Sequence, residues 1–229
     1  MIRAALAALL GLLSMTTAEA GCRQALALGL DISGSVDATE YRLQRDGLAD
    51  ALSRPAVRNA LFSTPGEVVW IAVFEWADPG QSHVIQPWAA LTDGAALDRV
   101  TARLRGGTRP DFGPSTALGS AMEAGAALLA GRPDCATLTL DVSGDGPSNT
   151  GPRPRDARRA PALAGVTVNG LVVAPDAKAA SQLESYFRAE VISGPGAFVE
   201  RADGFEGYAD AMERKLIREL RSMLLGALQ

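Results

Sequence analysis

The segment Leu26–Tyr41, LALGLDISGSVDATEY, decides how this chain reads. An apolar run over Ala25–Leu30 stops abruptly at Asp31-x-Ser33-x-Ser35 and gives way to a helical pattern opening at Ala38. One carboxylate and two hydroxyls at alternate positions have three explanations. They turn the chain into a capped helix, they include a hydrolase nucleophile, or they form part of a metal cradle completed further along. Asp37 and Glu40 at the required spacing predict a capping box for the helix, so the serines remain to be explained.

The rest of the chain alternates in the same way. Strand-like runs fall at Ala25–Leu30, Val68–Phe74, Val84–Leu91, Ala136–Val142, Val166–Val173 and Ala197–Glu200. Helical patterns fall at Ala38–Ser53, Ala95–Leu104, Ala117–Ala130, Asp156–Leu163, Lys178–Glu190 and Phe205–Leu225. Runs such as TLTLDV and VTVNGLVV are nearly continuously apolar, as parallel strands covered on both faces should be. The link between the second and third strands holds no helix and contains Asp78-Pro79-Gly80, which predicts an antiparallel hairpin at the sheet edge. The order predicts a three-layer doubly wound α/β sandwich. Its six-stranded sheet is mostly parallel with one antiparallel edge strand, and helices cover both faces. The last helix spaces Phe205, Tyr208, Met212, Leu216, Leu220 and Met223 three or four apart, a face suited to docking on the sheet.

Residues 1–20 read as a secretory signal peptide: Arg3 is a basic start, Ala4–Leu13 an apolar core, and Ala18-Glu19-Ala20 a small-x-small cleavage site. The mature chain, 21–229, suits one domain, exported and periplasmic, with no apolar stretch long enough to span a bilayer. A formal charge of −4 gives no basic surplus for nucleic acid. One histidine and two cysteines cannot furnish a four-ligand structural zinc site.

In a doubly wound sheet, ligands gather beyond the carboxyl ends of the strands. The first strand presents Asp31, Ser33 and Ser35 there, and TLTLDV runs into SGDGPSN and presents Asp145. Between them GGTRPDFGPSTALGSAM puts Thr116 at the start of a helix. Together these residues resemble the metal-ion-dependent adhesion site of von Willebrand factor type A domains. The likeness rests on D-x-S-x-S after the first strand, a threonine opening a T-x-L-G-x-A-like helix, and Asp-Gly after the central strand. The usual Thr-Asp-Gly is here Gly144-Asp145-Gly146, and Thr108 in GGT is a rival for Thr116. DVSGDGPSNTG and Phe74-Glu75-Trp76 are more similar to a secreted bacterial branch of unknown function than to adhesion receptors.

The resemblance implies a divalent cation, Mg²⁺ first with Mn²⁺ and Ca²⁺ as alternatives. Its ligands would be Asp31, Ser33, Ser35, Thr116 and Asp145, with Glu75 as an accessory group. It further implies a protein partner that offers a carboxylate to the ion, and a domain that is not an enzyme. Oxygen donors of this kind suit hard cations that keep part of their water. Two other readings stand beside it. One is a metal-assisted hydrolase acting on an anionic substrate with Glu75 as base. The other is a structural domain whose site is degenerate and metal-free. A serine hydrolase is excluded on inventory: the single histidine, His83, sits in the hairpin, and there is no G-x-S-x-G elbow. The cluster Arg153, Arg155, Arg158, Arg159 is either a basic rim or a solvated helix start.

Cys22 lies nine residues before Asp31, and Cys135 ten before Asp145. If the two aspartates end neighbouring parallel strands, the cysteines begin them in similar register at the opposite edge. Export permits a disulfide there. Two free buried thiols are the alternative.

Overall fold

A computed structural model describes residues 21–226, without the side chains of 222–226. The signal-peptide expectation for residues 1–20 lies outside the described residues, as does the side chain of Met223. Six strands form one sheet: β1 (Gly21–Asp31), β2 (Glu67–Trp76), β3 (Ser82–Leu91), β4 (Thr137–Gly144), β5 (Val166–Ala174) and β6 (Val199–Asp203). Their spatial order is β3-β2-β1-β4-β5-β6. All neighbours pair parallel except β2 and β3, the antiparallel hairpin turned by Asp78-Pro79-Gly80. Among the described residues seven α-helices accompany them: α1 (Ala38–Ser53), α2 (Pro55–Leu61), α3 (Gly94–Arg105), α4 (Leu118–Leu129), α5 (Pro154–Ala157), α6 (Ala177–Glu190) and α7 (Tyr208–Gly226). The mostly parallel, doubly wound sandwich expected from the sequence is the fold observed.

Alternation along β1 separates two cores. Leu26, Leu28 and Leu30 join a cluster with residues of α1, α3 and α7. Ala25 and Ala27 join the cluster built with α4 and α6. Burying a leucine or phenylalanine in either contributes about 1.5–3 kcal/mol. Asp37 and Glu40 close the expected capping box on α1.

Two elements differ from the sequence reading for local reasons. The short α2 begins on Pro55 and carries too few turns to show a periodicity. The helix expected over Asp156–Leu163 is instead the single turn α5 and a 3₁₀ turn at Pro161–Leu163. Pro161 cannot donate the backbone bond that a continuing helix requires.

A disulfide joins Cys22 and Cys135 across the amino edge of β1 and β4, with Cα atoms 4.5 Å apart. The register supports it: Gln24 pairs with Thr137, and the Ala136 amide donates to the Cys22 carbonyl at 2.9 Å. The bridge leaves no free cysteine among the described residues.

Helix α7 begins at Tyr208, so Phe205 is buried in the turn before it, while Tyr208, Met212, Leu216 and Leu220 are buried along the helix as the apolar spacing predicts. The same helix also buries Lys215 and Glu219 against the central strands. Lys215 Nζ is paired with Asp141 of β4 and, at 2.5 Å, with Glu219. Asn169 of β5 donates to Glu219 at 2.7 Å, and the Tyr208 and Ser143 hydroxyls share a bond of 2.9 Å. Burial acts against the Lys215 ammonium, but the two carboxylates outweigh it and raise its pKa. Burial, then Asp141, pushes Glu219 well above the ordinary carboxylate range, with Lys215 opposing.

Candidate functional site

Strand order reverses direction between β1 and β4, and the crevice beyond their carboxyl ends is where this fold gathers polar side chains. The backbone beyond β1 turns through Ser33–Val36 and is held on both sides. Ile32 donates to the Trp76 carbonyl at 2.9 Å, and Gly34 donates to the Pro114 carbonyl at 2.9 Å. A β-carbon on Gly34 would sit 2.8 Å from Pro114 Cβ, so the close approach of the two loops requires glycine. Gln44 reaches back from α1 to the Asp31 carbonyl at 2.9 Å.

Within this frame the five predicted side chains come together and bond to one another. Ser33 N donates to Asp31 Oδ1 at 2.8 Å. The Ser33 and Ser35 hydroxyls lie 3.3 Å apart, and Ser35 donates to Asp145 Oδ1 at 2.8 Å. The Thr116 hydroxyl donates to that of Ser33 at 3.3 Å. Thr116, not Thr108, is therefore the threonine in this cluster; Thr108 is exposed and lines the groove beside α1. Thr116 does not cap α4, whose N-cap is Ala117 and whose Leu118 amide donates to the Ser148 hydroxyl at 3.3 Å.

Asp31 is 1 % exposed, and its Oδ2 has no hydrogen-bond partner among the described residues. Burial, followed by the nearby Asp145 charge, pushes its pKa up to about 7, against the Ser33 hydrogen bonds. A carboxyl in such a place is relieved by holding a proton, because desolvation disfavours the charged form.

Glu75 does not join the cluster. Its side chain is fully buried beneath α1, where Oε1 accepts from the Tyr41 hydroxyl at 2.8 Å and faces Arg45 at 3.5 Å. Burial raises its pKa despite these partners. Enclosed in this way it cannot serve as a base at the loop rim, which removes the hydrolase reading's only candidate.

Three residues that tie the loops escaped the sequence reading. Arg109 donates to the carbonyls of Ile32, Ser33 and Val36 at 2.6–3.1 Å. Asn149 and Ser148 bind the backbone of Thr116 at 2.9 and 3.1 Å. The Ser-Asn pair after Asp145-Gly146 was the available signal, since both residues favour side-chain bonds to backbone in turns. The arginine cluster is divided: Arg155 pairs with Glu190, and Arg158 donates to the Ile192 carbonyl at 3.1 Å.

The sheet order and the loop cluster define a von Willebrand factor A-like domain, and known proteins bear this out at the level of fold. The chain belongs to the family described as "Protein of unknown function (DUF1194)", which it matches over residues 21–224. No curated protein sequence matches it. Among solved structures it is similar to proximal thread matrix protein 1 from the mussel byssus, at 19 % identity and a TM-score of 0.61, over 88 % of this chain and 47 % of that one. A second structure of that protein, with a zinc-occupied MIDAS motif, is 16 % identical with a TM-score of 0.62, covering 88 % and 48 %. The D319A mutant of the minor pilin PilB from Streptococcus sanguinis is 12 % identical with a TM-score of 0.59, covering 89 % and 63 %. The chain thus spans about half the length of the byssus protein.

The expectation of a divalent cation is corrected. Among the described residues, one set of three His, Cys, Asp or Glu side chains brings its ligand atoms close enough to share an ion: Cys22, Asp134 and Cys135. Both of its sulfurs are joined to each other, so no thiolate is left to bind. The five expected ligands, Asp31, Ser33, Ser35, Thr116 and Asp145, include only two carboxylates, and their three hydroxyls bond among themselves and to Asp145, leaving Asp31 Oδ2 as the one unmatched buried oxygen. Mg²⁺, Mn²⁺ or Ca²⁺ as cofactor is withdrawn, and with it a partner's carboxylate docking on the ion. The metal-free alternative is the better reading.

Proposed function

We propose that this is an exported structural domain whose metal-free loop cluster holds a protein-contacting face in shape. The observation that carries this reading is the chain of hydrogen bonds Asp31–Ser33–Thr116 and Ser35–Asp145, which ties the loops after β1 and β4 to the one before α4 without an ion. Further supports are the disulfide, which suits an oxidising compartment, and the matrix and pilin proteins with the same fold. No helix among the described residues is long and apolar enough to cross a membrane. Residues 1–20 are assigned as the signal peptide, and the periplasm as the destination.

Calorimetric titration of chelator-stripped protein with Mg²⁺, Mn²⁺ and Ca²⁺ is the test. The expected result is no saturable heat and no shift in melting temperature. Saturable binding that disappears in Asp31→Ala would overturn the reading. Amino-terminal sequencing of the exported protein should begin at Gly21.

A further inference from the structure

The chemistry left over from the loop cluster lies on its far side, between the N-terminal half of α1 and the loop that follows α3. A groove of about 350 Å³ there is lined by Tyr41, Arg42, Arg45, Arg105, Gly107 and Arg109. That volume falls at the lower end of the range for small-molecule pockets, about 300–1,000 Å³. We propose that this groove binds a small oxyanion, a phosphate or carboxylate group carried on a small molecule. The proposal is independent of the structural role assigned to the domain above.

The groove is built, in that its deepest cation is fixed before any ligand arrives. Arg45 is 4 % exposed, with Nε donating to the Leu104 carbonyl at 2.8 Å and Nη1 to the Tyr41 hydroxyl at 2.6 Å. Its guanidinium and that of Arg109 lie 5.5 and 5.8 Å from the centre of the Tyr41 ring, a cation–π arrangement that spaces two planar donors around one aromatic floor. Arg45 Nη2 also donates to the Arg103 carbonyl at 3.4 Å and the Arg109 terminal nitrogens to loop carbonyls, so these two supply fixed positive charge to an oxyanion and leave the fork recognition to a third arginine. Arg42 stands exposed at the mouth with no hydrogen bond or ion pair among the described residues, so its donors are available.

The loop opposite is equally specific. Gly107 has an ordinary φ, so its lack of a side chain is not a matter of backbone freedom. A β-carbon there would stand 2.1 Å from Arg45 Nη2. The Gly106-Gly107 loop is thus cut to the shape of the guanidinium it covers, and any side chain would displace the cation or fill the space before it.

The charge balance favours a small anion over a large one. Arg105 is engaged by Asp50 at 2.6 Å, Arg45 faces Glu75, and Asp46 lies on the rim. Four cations therefore face three acids, an excess of one that suits a single oxyanion group. Because Arg109 also holds the Ile32, Ser33 and Val36 carbonyls, an occupant would be felt at the loop cluster.

The test is titration of ¹⁵N-labelled protein with sodium phosphate, sodium sulfate and sodium citrate in separate arms, with sodium chloride at matched ionic strength as control. Backbone shifts are expected at Ala38, Gly106, Gly107 and Thr108, saturating with one or more of the oxyanions and not with chloride. Saturation by phosphate and sulfate alone assigns a tetrahedral oxyanion; saturation by citrate alone assigns a carboxylate. Arg42→Ala, at an exposed position, should weaken binding about five-fold while leaving the melting temperature unchanged. Gly107→Ala should abolish it. Shifts that never saturate, that map elsewhere, or that are unaltered in Arg42→Ala would overturn the proposal. Arg42→Ala decides the matter even if Gly107→Ala does not fold.

Discussion

The loop cluster of Asp31, Ser33, Ser35, Thr116 and Asp145 and the network of Lys215, Asp141, Glu219 and Asn169 both join distant segments through polar side chains, yet the second is far more deeply buried and meets solvent only at the floor of a groove that Asn169 and Glu219 help to line. Ser35 is exposed and Asp145 half-buried, so a lost partner in the loop cluster can be replaced by solvent. Lys215 is 0 % exposed, with Asp141 and Glu219 at 2 % and 3 %. A charge left alone on Lys215 or Asp141 has little such recourse. Two networks of similar size thus differ in what their removal costs, because the penalty for a buried charge is desolvation and not the lost bond itself.

The largest expected effect follows from that difference. Lys215→Ala would leave two buried carboxylates without their cation and should destabilise the domain by about 3–5 kcal/mol, measured by urea unfolding. A loss below about 1 kcal/mol would mean that water enters beneath α7 and the two clusters are alike. The network should also bend the dependence of stability on pH. Glu219 has a folded pKa above its ordinary 4.5, so its contribution is complete below that value and is lost as pH rises through the folded pKa. Lys215, raised above 10.5, supports the fold below that value, and this support is lost as pH climbs through its folded pKa. Glu219→Gln should therefore flatten the decline in stability above pH 4.5 relative to wild type. Glu75 and Asp31 are raised too and bend the wild-type curve in the same direction. The difference between the two profiles, and not the wild-type curve, isolates Glu219. Identical profiles would place its titration outside the folding equilibrium.

Next in size is the disulfide at the amino edge, beneath the strands that carry both clusters. It spans 113 residues of sequence, for which loop-closure entropy gives about 4–5 kcal/mol, and losses of about 2–5 kcal/mol are typical of native bridges. The double variant Cys22→Ser/Cys135→Ser should lose stability in that range in urea while the Ser35–Asp145 contact at the opposite edge is unchanged. Loss of both together would show that the two edges do not behave independently.

The contrast also explains what could be read from the sequence. The fold was visible because burial on both faces leaves a mark in every strand, and the hairpin because Asp78-Pro79-Gly80 has a defined turn chemistry. Asp31, Ser33, Ser35, Thr116 and Asp145 were visible as a group because loop residues at strand ends are free of the packing pattern, so a polar run there stands out. Their mutual bonding was not: oxygen-rich loops look the same whether they surround an ion or one another. Lys215 and Glu219 were hidden for the opposite reason. At helical spacing a Lys-Glu pair four apart reads as a solvated face, and only the packing of α7 on β4 shows that it is buried. Asp141, inside TLTLDV, looked like one polar lapse in an apolar strand. Glu75 was placed at the right strand end but assigned to the wrong side of it, since whether α1 covers that end depends on the tertiary position of Tyr41 and Arg45.

The smallest expected effect tests the solvent-exposed side of the contrast. Ser35→Ala removes the donor to Asp145 Oδ1 and the 3.3 Å contact with Ser33. Both Ser35 and Asp145 can be hydrated, so the net cost should be about 0.5–1.5 kcal/mol, the value of an ordinary intramolecular hydrogen bond. Thr116→Val is the sharper companion. Thr116 is 6 % exposed, and the change keeps its shape while deleting the hydroxyl that reaches Ser33. It leaves the Ser33 oxygen short of a donor in a buried place, so its cost should exceed that of Ser35→Ala, toward about 1–3 kcal/mol. Thr108→Ala, at an exposed position outside the cluster, should change nothing measurable. The ordering Thr116, then Ser35, then Thr108 in chemical unfolding is the prediction. If Ser35→Ala proved the costliest of the three, the cluster would be a buried electrostatic unit like the one beneath α7, and the distinction between them would fail.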